Sequence, residues 1–210
     1  MTEKVYDARY FRRWYRKGRS VSPAEAVGRR ARLAVAAAEY VLERRVRSVL
    51  DVGCGEGPWR APLRRLRPGL TYVGVDPSEY VVRRFGRRRG IRRGSFGELG
   101  SLGLRRSFDL VVCADFLQYV SSGELTRGLS ALRRLARGIV YADPFTSADD
   151  FEGDLDGWHH RTPAAYRRAF RAAGFVQCGL NCWAAKAVRD NLNALEMCHG
   201  SITQGREEKR

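Results

Sequence analysis

Apolar and polar positions follow two different periods along this chain. Short runs in which nearly every residue is apolar predict buried strands, and segments with apolar residues at helical spacing separate them. The predicted strands cover 48–52, 70–75, 108–114, 138–142 and 175–183, with a weaker short strand at 91–95. This alternation indicates an α/β fold in which helices cover both faces of a doubly wound, mostly parallel sheet.

Capping residues mark several of the helix boundaries. Ser22 is a candidate N-cap with Pro23 at the first helical position, and Ser121 forms a capping box with Glu124. Thr162 caps a later helix in the same way. We expect helices at 2–17, 23–45, from about 58, and at 78–88, 121–137, 162–173 and 187–198.

The predicted strands all lie after residue 47, and this divides the chain. We expect residues 1–46 to form a helical lid or appendage, residues 47–199 to form the sheet domain and residues 200–210 to form a flexible tail. Parallel sheets of this class bind ligands at the carboxyl ends of their strands. The chemistry is therefore expected just after positions 52, 75, 114 and 142.

The charge of the chain is strongly positive. The net charge is +16, and 35 of the 39 basic residues are arginine. Such a balance fits either a surface that binds nucleic acid or a compositional bias spread over solvated faces. Because the arginines recur along the whole chain, we favour the compositional interpretation.

Other features of the composition bear on location. No apolar run is long enough to span a membrane, and the N-terminal segment has charges but no apolar leader. The five cysteines lack paired spacing, which argues against a disulfide framework. We therefore expect a reduced, cytoplasmic protein without membrane contact.

The sharpest chemical signal is a glycine-rich loop between the first strand and the next helix. It reads Asp51-Val-Gly53-Cys54-Gly55-Glu56-Gly57, and glycines let such a backbone turn tightly against a ligand. Asp76 ends the following strand, where an acid can accept hydrogen bonds from both hydroxyls of a ribose. Together these features predict a nucleoside-cofactor site.

Three segments carry a resemblance to a known family. VLDVGCGEG, YVGVDPS and FDLVVCADFLQYV resemble motifs I, II and IV of the class I S-adenosylmethionine (SAM)-dependent methyltransferases. The resemblance covers about residues 48–180 and implies a Rossmann-like fold with SAM as cofactor. Acids flank the glycine loop, and a cationic sulfonium tolerates them better than a dinucleotide phosphate would. This favours SAM over NAD.

The resemblance also implies cofactor contacts at individual positions. The methionine part of SAM would lie against the glycine loop, the ribose against Asp76, the adenine against the segments after the second and third strands, and the sulfonium above the end of the fourth. The implied residues are Asp51, Gly53, Cys54, Gly55, Asp76, Pro77, Ser78, Ser95, Phe96, Ala114, Asp115 and Phe116.

The residues after the fourth strand narrow the chemistry. They contain neither the Asn/Asp-Pro-Pro-Tyr/Phe motif of adenine-N6 and glutamine-N5 enzymes nor a Pro-Cys nucleophile. Asp115 and Asp143 lie where catechol-type O-methyltransferases of this fold hold Mg²⁺, but Pro144 stands where a third ligand would follow. Cys178, Cys182, Cys198 and His199 match no standard zinc spacing. We therefore expect no metal.

Two aromatic-rich segments lie outside the predicted sheet and are candidates for the acceptor site. We expect residues 1–20 and the loop 143–161 to meet over the carboxyl ends of the strands as a lid. His159 or His160 is a candidate general base, with structural packing as the alternative. The candidate acceptor-binding residues are Tyr10, Trp14, Tyr119, Asp143 and Phe145.

These features lead to one preferred function and one alternative. The sequence predicts a methyltransferase that transfers a methyl group from SAM to an oxygen or nitrogen of a small-molecule acceptor by in-line displacement. The alternative is an RNA methyltransferase or a nucleic-acid-binding protein that uses arginines 83, 84, 87, 88, 89, 92 and 93. The pattern does not define the oligomeric state.

Overall fold

One seven-stranded sheet organises the protein. The computed structural model describes residues 4–15, 23–104, 107–150 and 154–197. The strands are β1 (Ser48–Val52), β2 (Thr71–Asp76), β3 (Ile91–Arg93), β4 (Phe108–Ala114), β5 (Ala136–Asp143), β6 (Val176–Gly179) and β7 (Cys182–Ala184). Their order is β3-β2-β1-β4-β5-β7-β6, with β1 to β5 parallel and β7 antiparallel to both of its neighbours.

Helices cover both faces of this sheet. They are α1 (Ala8–Tyr15), α2 (Ala24–Leu42), α3 (Arg60–Leu66), α4 (Glu79–Arg89), α5 (Ser122–Leu135) and α6 (Pro163–Ala172). Successive residues of a strand point to opposite faces, so Val49 packs with α2 and α3 while Leu50 packs with α5 and α6. The predicted Rossmann-like, doubly wound fold is confirmed.

The strand order creates a crevice at the middle of the sheet. From β1 the chain moves to one side through β2 and β3, and then returns to the other side through β4 and β5. Neighbouring connections therefore diverge between β1 and β4, and this switch point is where open α/β sheets bind ligands.

The predicted caps are present in the helices that begin near this crevice. Ser121 accepts a hydrogen bond from the Glu124 amide at 3.3 Å, and the Glu124 side chain reaches back to the Ser121 amide. Thr162 accepts from the Ala165 amide at 3.2 Å. Each bond satisfies an amide that the first turn of a helix leaves open. The predicted Ser22 cap lies outside the described residues.

The end of the chain differs from its prediction. The single strand expected at 175–183 is wrong, because β6 and β7 form a hairpin that turns at Leu180 and Asn181. Both turn residues have positive φ, 50° and 62°, which asparagine tolerates well. The helix expected at 187–198 is a 3-10 helix over Lys186–Asn191. Residues 198–210, including the predicted tail, lie outside the described part of the chain.

The N-terminal part also differs from the expected single helix over 2–17. Among the described residues, 4–7 are not helical and the helix is α1. The next helix, α2, contributes Val27, Ala31 and Val35 to a cluster that it shares with the sheet. The division at residue 46 stays a prediction. No described helix has both the length and the apolar character that crossing a membrane requires.

Candidate active site

The glycine loop folds into a cradle that side chains would fill. Gly53 and Gly55 have φ of +60° and +51°, a region that glycine enters without a Cβ penalty. A Cβ on Gly53 would lie 2.5 Å from the Phe116 ring, and one on Gly55 would lie 3.2 Å from the ring of Phe11. The backbone of this loop is therefore in close contact with a ring that follows β4 and with a ring of α1.

Asp76 ties the loop to the end of β2. Its two carboxylate oxygens accept hydrogen bonds from the amides of Gly55, at 2.7 Å, and Ser78, at 2.9 Å. Burial raises the pKa of Asp76 to about 6, although these two bonds oppose the shift. Each oxygen accepts one bond here and keeps capacity for a second.

Asp51 has a different role from Asp76. Its carboxylate is buried and accepts a hydrogen bond from the Tyr72 hydroxyl at 2.6 Å. Burial raises the pKa of Asp51 to about 7, and the Tyr72 bond opposes that shift. Asp51 thus pairs with Tyr72, a partner that the sequence pattern did not indicate.

A cavity of about 350 Å³ opens above the carboxyl ends of β1, β2 and β4. This size is within the range usual for small-molecule sites. Burial raises the pKa values of the tyrosines that α1 and the residues before it contribute, so their phenols are neutral. The lining residues are Lys4, Tyr6, Tyr10, Phe11, Tyr15, Gly53, Gly55, Asp76, Pro77, Gly94, Ser95, Phe96, Ala114, Asp115, Phe116, Tyr119, Val120 and Glu124.

The cavity brings together most, but not all, of the residues selected from the sequence. Of the proposed cofactor residues, Asp51, Cys54 and Ser78 are buried and do not line it. Ser78 instead caps α4, and its hydroxyl donates to the carbonyl of Tyr6 at 2.5 Å. Of the proposed acceptor residues, Tyr10 and Tyr119 line the cavity, whereas Trp14, Asp143 and Phe145 do not.

Neither candidate histidine reaches this cavity. His159 and His160 are both exposed, and both lie outside its lining. The His159 amide donates to the carbonyl of Gln118 at 2.8 Å, and the His160 ring stacks on Trp158 with 4.4 Å between centroids. In this arrangement the two imidazoles are at the surface of the loop.

The two segments outside the sheet meet at Lys4, which lines the cavity, whereas no described residue of the loop 143–161 does. The Lys4 ammonium lies 2.5 Å from a carboxylate oxygen of Asp154 and donates to the carbonyl of Asp156 at 2.6 Å. On the other side, Tyr6 receives the hydrogen bond from Ser78. The N-terminal segment therefore spans from the end of β2 to the loop that follows β5.

An arginine from α2 joins the ends of β4 and β5. The Arg30 guanidinium lies 3.1 Å from a carboxylate oxygen of Asp115 and 2.6 Å from one of Asp143, and the Tyr141 hydroxyl donates to Asp143. Burial and the nearby Asp115 carboxylate raise the pKa of Asp143. Asp115 has a φ of 60°, unusual for a residue with a side chain. Arg30 was not among the residues selected from the sequence.

The arginine-rich segment lies beside the cavity. Its members on α4 and β3 are exposed, except Arg89, which is half-buried and donates to the carbonyl of Glu56. Arg83 and Arg84 border an open groove that starts at Pro77 and Ser78. The positive surface is therefore next to the end of β2 and not over the crevice.

Comparison with known proteins gives a partial family match and several structures of the same fold. A family profile described as a methyltransferase domain matches residues 50–138. No curated protein sequence matches the chain significantly.

Several solved structures share the fold. A SAM-dependent methyltransferase from Archaeoglobus fulgidus is 21% identical, with a TM-score of 0.59 over 73% of this chain and 69% of that one. DesVI of Streptomyces venezuelae is 16% identical, with a TM-score of 0.59 over 77% and 91%. The sugar N-methyltransferase KedS8 from a Streptoalloteichus species is 23% identical, with a TM-score of 0.55 over 83% and 86%.

Proposed function

We propose that the chain is a class I SAM-dependent methyltransferase and that it methylates an oxygen or nitrogen of a small-molecule acceptor. The observation that carries the proposal is the cavity at the switch point of the sheet. It places the glycine loop, Asp76 and the residues after β4 around one space. The similarity to a sugar N-methyltransferase supports an acceptor of small size.

The residues of the cavity fit SAM in shape and charge. The loop around Gly53 and Gly55 offers backbone without side chains, which suits the methionine part. Asp76 keeps acceptor capacity for the ribose hydroxyls, and Ser95 and Phe96 would border the adenine. When bound, the cofactor supplies a methyl group that its sulfonium already activates.

The chain's own contribution would be alignment and exclusion of water. In-line transfer depends on holding the acceptor atom on the axis of the breaking bond. Asp115 and Phe116, at the end of β4, would form the floor under the reacting group, and the aromatic side chains of α1 would shield it from water. Arg30 forms ion pairs with both Asp115 and Asp143, the two acids considered for Mg²⁺, and this supports a reaction without metal.

Two further parts of the prediction remain proposals. The buried free thiols of Cys54 and Cys113 support a reduced, cytoplasmic setting. The exposed arginines beside the cavity keep RNA as the alternative acceptor or partner.

Titration calorimetry with SAM and with its demethylated product tests the cofactor site. We expect binding to the intact protein, weakened at least tenfold in Asp76→Ala because the ribose loses its acceptor. Asp150→Ala, at an exposed position, is the matched control and should bind normally. Absence of binding to the folded wild-type protein would overturn the proposal.

A further inference from the structure

The Lys4 ammonium occupies a cage of aromatic rings. Its nitrogen lies 3.9 Å from the centroid of the Tyr119 ring and 5.7 Å from the centroids of Tyr6 and Tyr10. A cation within about 6 Å of an aromatic ring is attracted by the negative face of that ring. Three tyrosines from two separate segments therefore surround one positive charge.

A carboxylate completes this cage. Asp154 Oδ2 lies 2.5 Å from the Lys4 nitrogen, and the two side chains are only 15% and 13% exposed. Among the described residues, no hydrogen-bond donor is aligned with this buried oxygen, so the ammonium balances its charge. The Tyr119 hydroxyl donates to the backbone carbonyl of Asp154 at 2.6 Å, which ties the Tyr119 ring to the backbone of the loop.

The cage opens onto the candidate active site. Lys4 and its three tyrosines line the same cavity as Asp76 and Phe116, and Asp154 lies behind Lys4 in an adjoining groove that Lys4 and Tyr10 also line. Among the described lining residues, Lys4 carries the only positive charge, against the carboxylates of Asp76 and Glu124 and that of Asp115, which is paired with Arg30. An acceptor with a phosphate or carboxylate would be repelled here, whereas an ammonium would be attracted.

We propose that this cage is the acceptor site for the ammonium group of an amine, and that Lys4 occupies it until the acceptor displaces it. The proposal rests on the methyltransferase function and narrows the acceptor atom to nitrogen. An alcohol of the same shape would leave the Asp154 carboxylate without a counter-ion, and a buried charge without a counter-ion is costly. Lys4 precedes α1 and lies outside any helix, so its withdrawal breaks no helical hydrogen bond.

The transfer balances as follows. The bound ammonium gives one proton to the Asp154 carboxylate, which frees the lone pair on nitrogen. The nitrogen forms a bond to the methyl carbon while the bond between that carbon and the sulfonium sulfur breaks, and its electron pair stays on sulfur. Asp154 then releases its proton to water, and the methylated amine leaves with the demethylated cofactor.

Binding of n-butylammonium and n-butanol, which have equal numbers of heavy atoms, tests the cage. Both are titrated at one ionic strength, in the presence of the demethylated cofactor, into wild type, Lys4→Ala and Lys186→Ala. We expect Lys4→Ala to bind butylammonium at least tenfold more tightly than wild type does and to show no binding of butanol. Lys186→Ala, at an exposed position far along the chain, should behave as wild type.

The double variant Lys4→Ala with Tyr119→Leu should lose the tighter binding of butylammonium that Lys4→Ala shows, while it still binds the demethylated cofactor. Equal binding of alcohol and ammonium by Lys4→Ala, or binding of neither, would overturn the amine site if the cofactor product still binds. Failure of wild type to bind the cofactor product would instead overturn the methyltransferase proposal. The two failures are thus separate observations.

Discussion

Two buried aspartates, one at each end of the central strands, differ in the number of hydrogen-bond donors that contact them. At the amino end of β4, Asp109 is fully buried and accepts hydrogen bonds from Arg44, Arg137 and the amides of residues 47 and 48. Burial alone would raise the pKa of Asp109, but these partners lower it to about 2. At the carboxyl end, Asp76 has two amide partners, and burial raises its pKa to about 6.

This difference in hydrogen-bond donors distinguishes a carboxylate that stabilises the fold, Asp109, from one that can still bind a ligand, Asp76. Asp109 has several donors, including two cations, so its ionised form stabilises the fold. Asp76 is buried with fewer donors, so its ionised form keeps part of its desolvation cost until hydroxyls contact it. Perturbed carboxylates collect at functional sites for this reason.

Of the changes considered, removal of residues 1–20 should have the largest effect, and this effect should be confined to the carboxyl end of the strands. The deletion takes away the aromatic cover of the cavity and leaves every strand in place. We expect the fold to be retained by circular dichroism, cofactor binding to weaken and methyl transfer to be abolished. A truncated protein with full activity would show that Phe11 and its neighbours serve packing only.

Asp109→Ala should have the next largest effect, at the opposite end. It leaves two arginines without their buried partner. Removal of one partner of a buried ion pair lowers the free energy of unfolding by about 3 to 5 kcal/mol. We expect about 3 kcal/mol here because the two arginines are partly exposed. Urea unfolding measures this loss of stability. Cofactor affinity at a temperature where the variant is folded should change less than twofold, and a larger change would break the distinction between the two ends.

The pH dependence of cofactor-product binding sharpens the comparison further. Ribose hydroxyls favour the ionised form of Asp76, so affinity is full above its pKa of about 6 and falls as the pH decreases through that value. Between pH 7 and pH 5 we expect a decrease of about tenfold, the change in the ionised fraction for one titrating group. In Asp76→Asn the affinity should be low at both pH values. A wild-type profile that is flat from 7 to 5 would contradict this assignment.

The smallest effect should come from the arginine surface. Charge reversal at Arg87 and Arg88, both exposed on α4, should change cofactor-product affinity by less than twofold. We also expect no shift in RNA mobility with wild-type protein at physiological salt. RNA binding that is lost in Arg87→Glu/Arg88→Glu, with a steep dependence on salt, would instead favour the nucleic-acid alternative.

The sequence predicted the parts of the molecule that are encoded locally. β1 and β4 have the predicted bounds, because an apolar run between polar turns is sufficient to define a buried parallel strand. The glycine loop and Asp76 lie at the ends of adjacent strands, so their meeting follows from the parallel order. The hairpin at 176–184 was missed because Leu180 and Asn181 lie inside an apolar run, although Gly179, two positions before Asn181, was an available turn signal.

The side-chain contacts above the carboxyl ends of the strands could not be predicted from the sequence in this way. Arg30 contacts carboxylates 85 and 113 positions away, and nothing in its local pattern distinguishes it from the other arginines. Lys4 lies 150 positions from Asp154 and meets it only because two irregular segments cross above the sheet. Contacts of this kind depend on loop conformation, which hydrophobic periodicity does not specify.

The cover of the cavity is attached by side chains and contributes no strand to the sheet. Residues 4–15 are held through the Ser78 bond to Tyr6, the Lys4 ion pair and the packing of Phe11 on the glycine loop. An exchange of this segment would leave the ladder of β1 to β5 unchanged. The cover and the sheet are therefore separable in this chain, and an engineer can vary the twelve positions of the cover without altering the strands, while the positions that contact the glycine loop also affect the cofactor cavity.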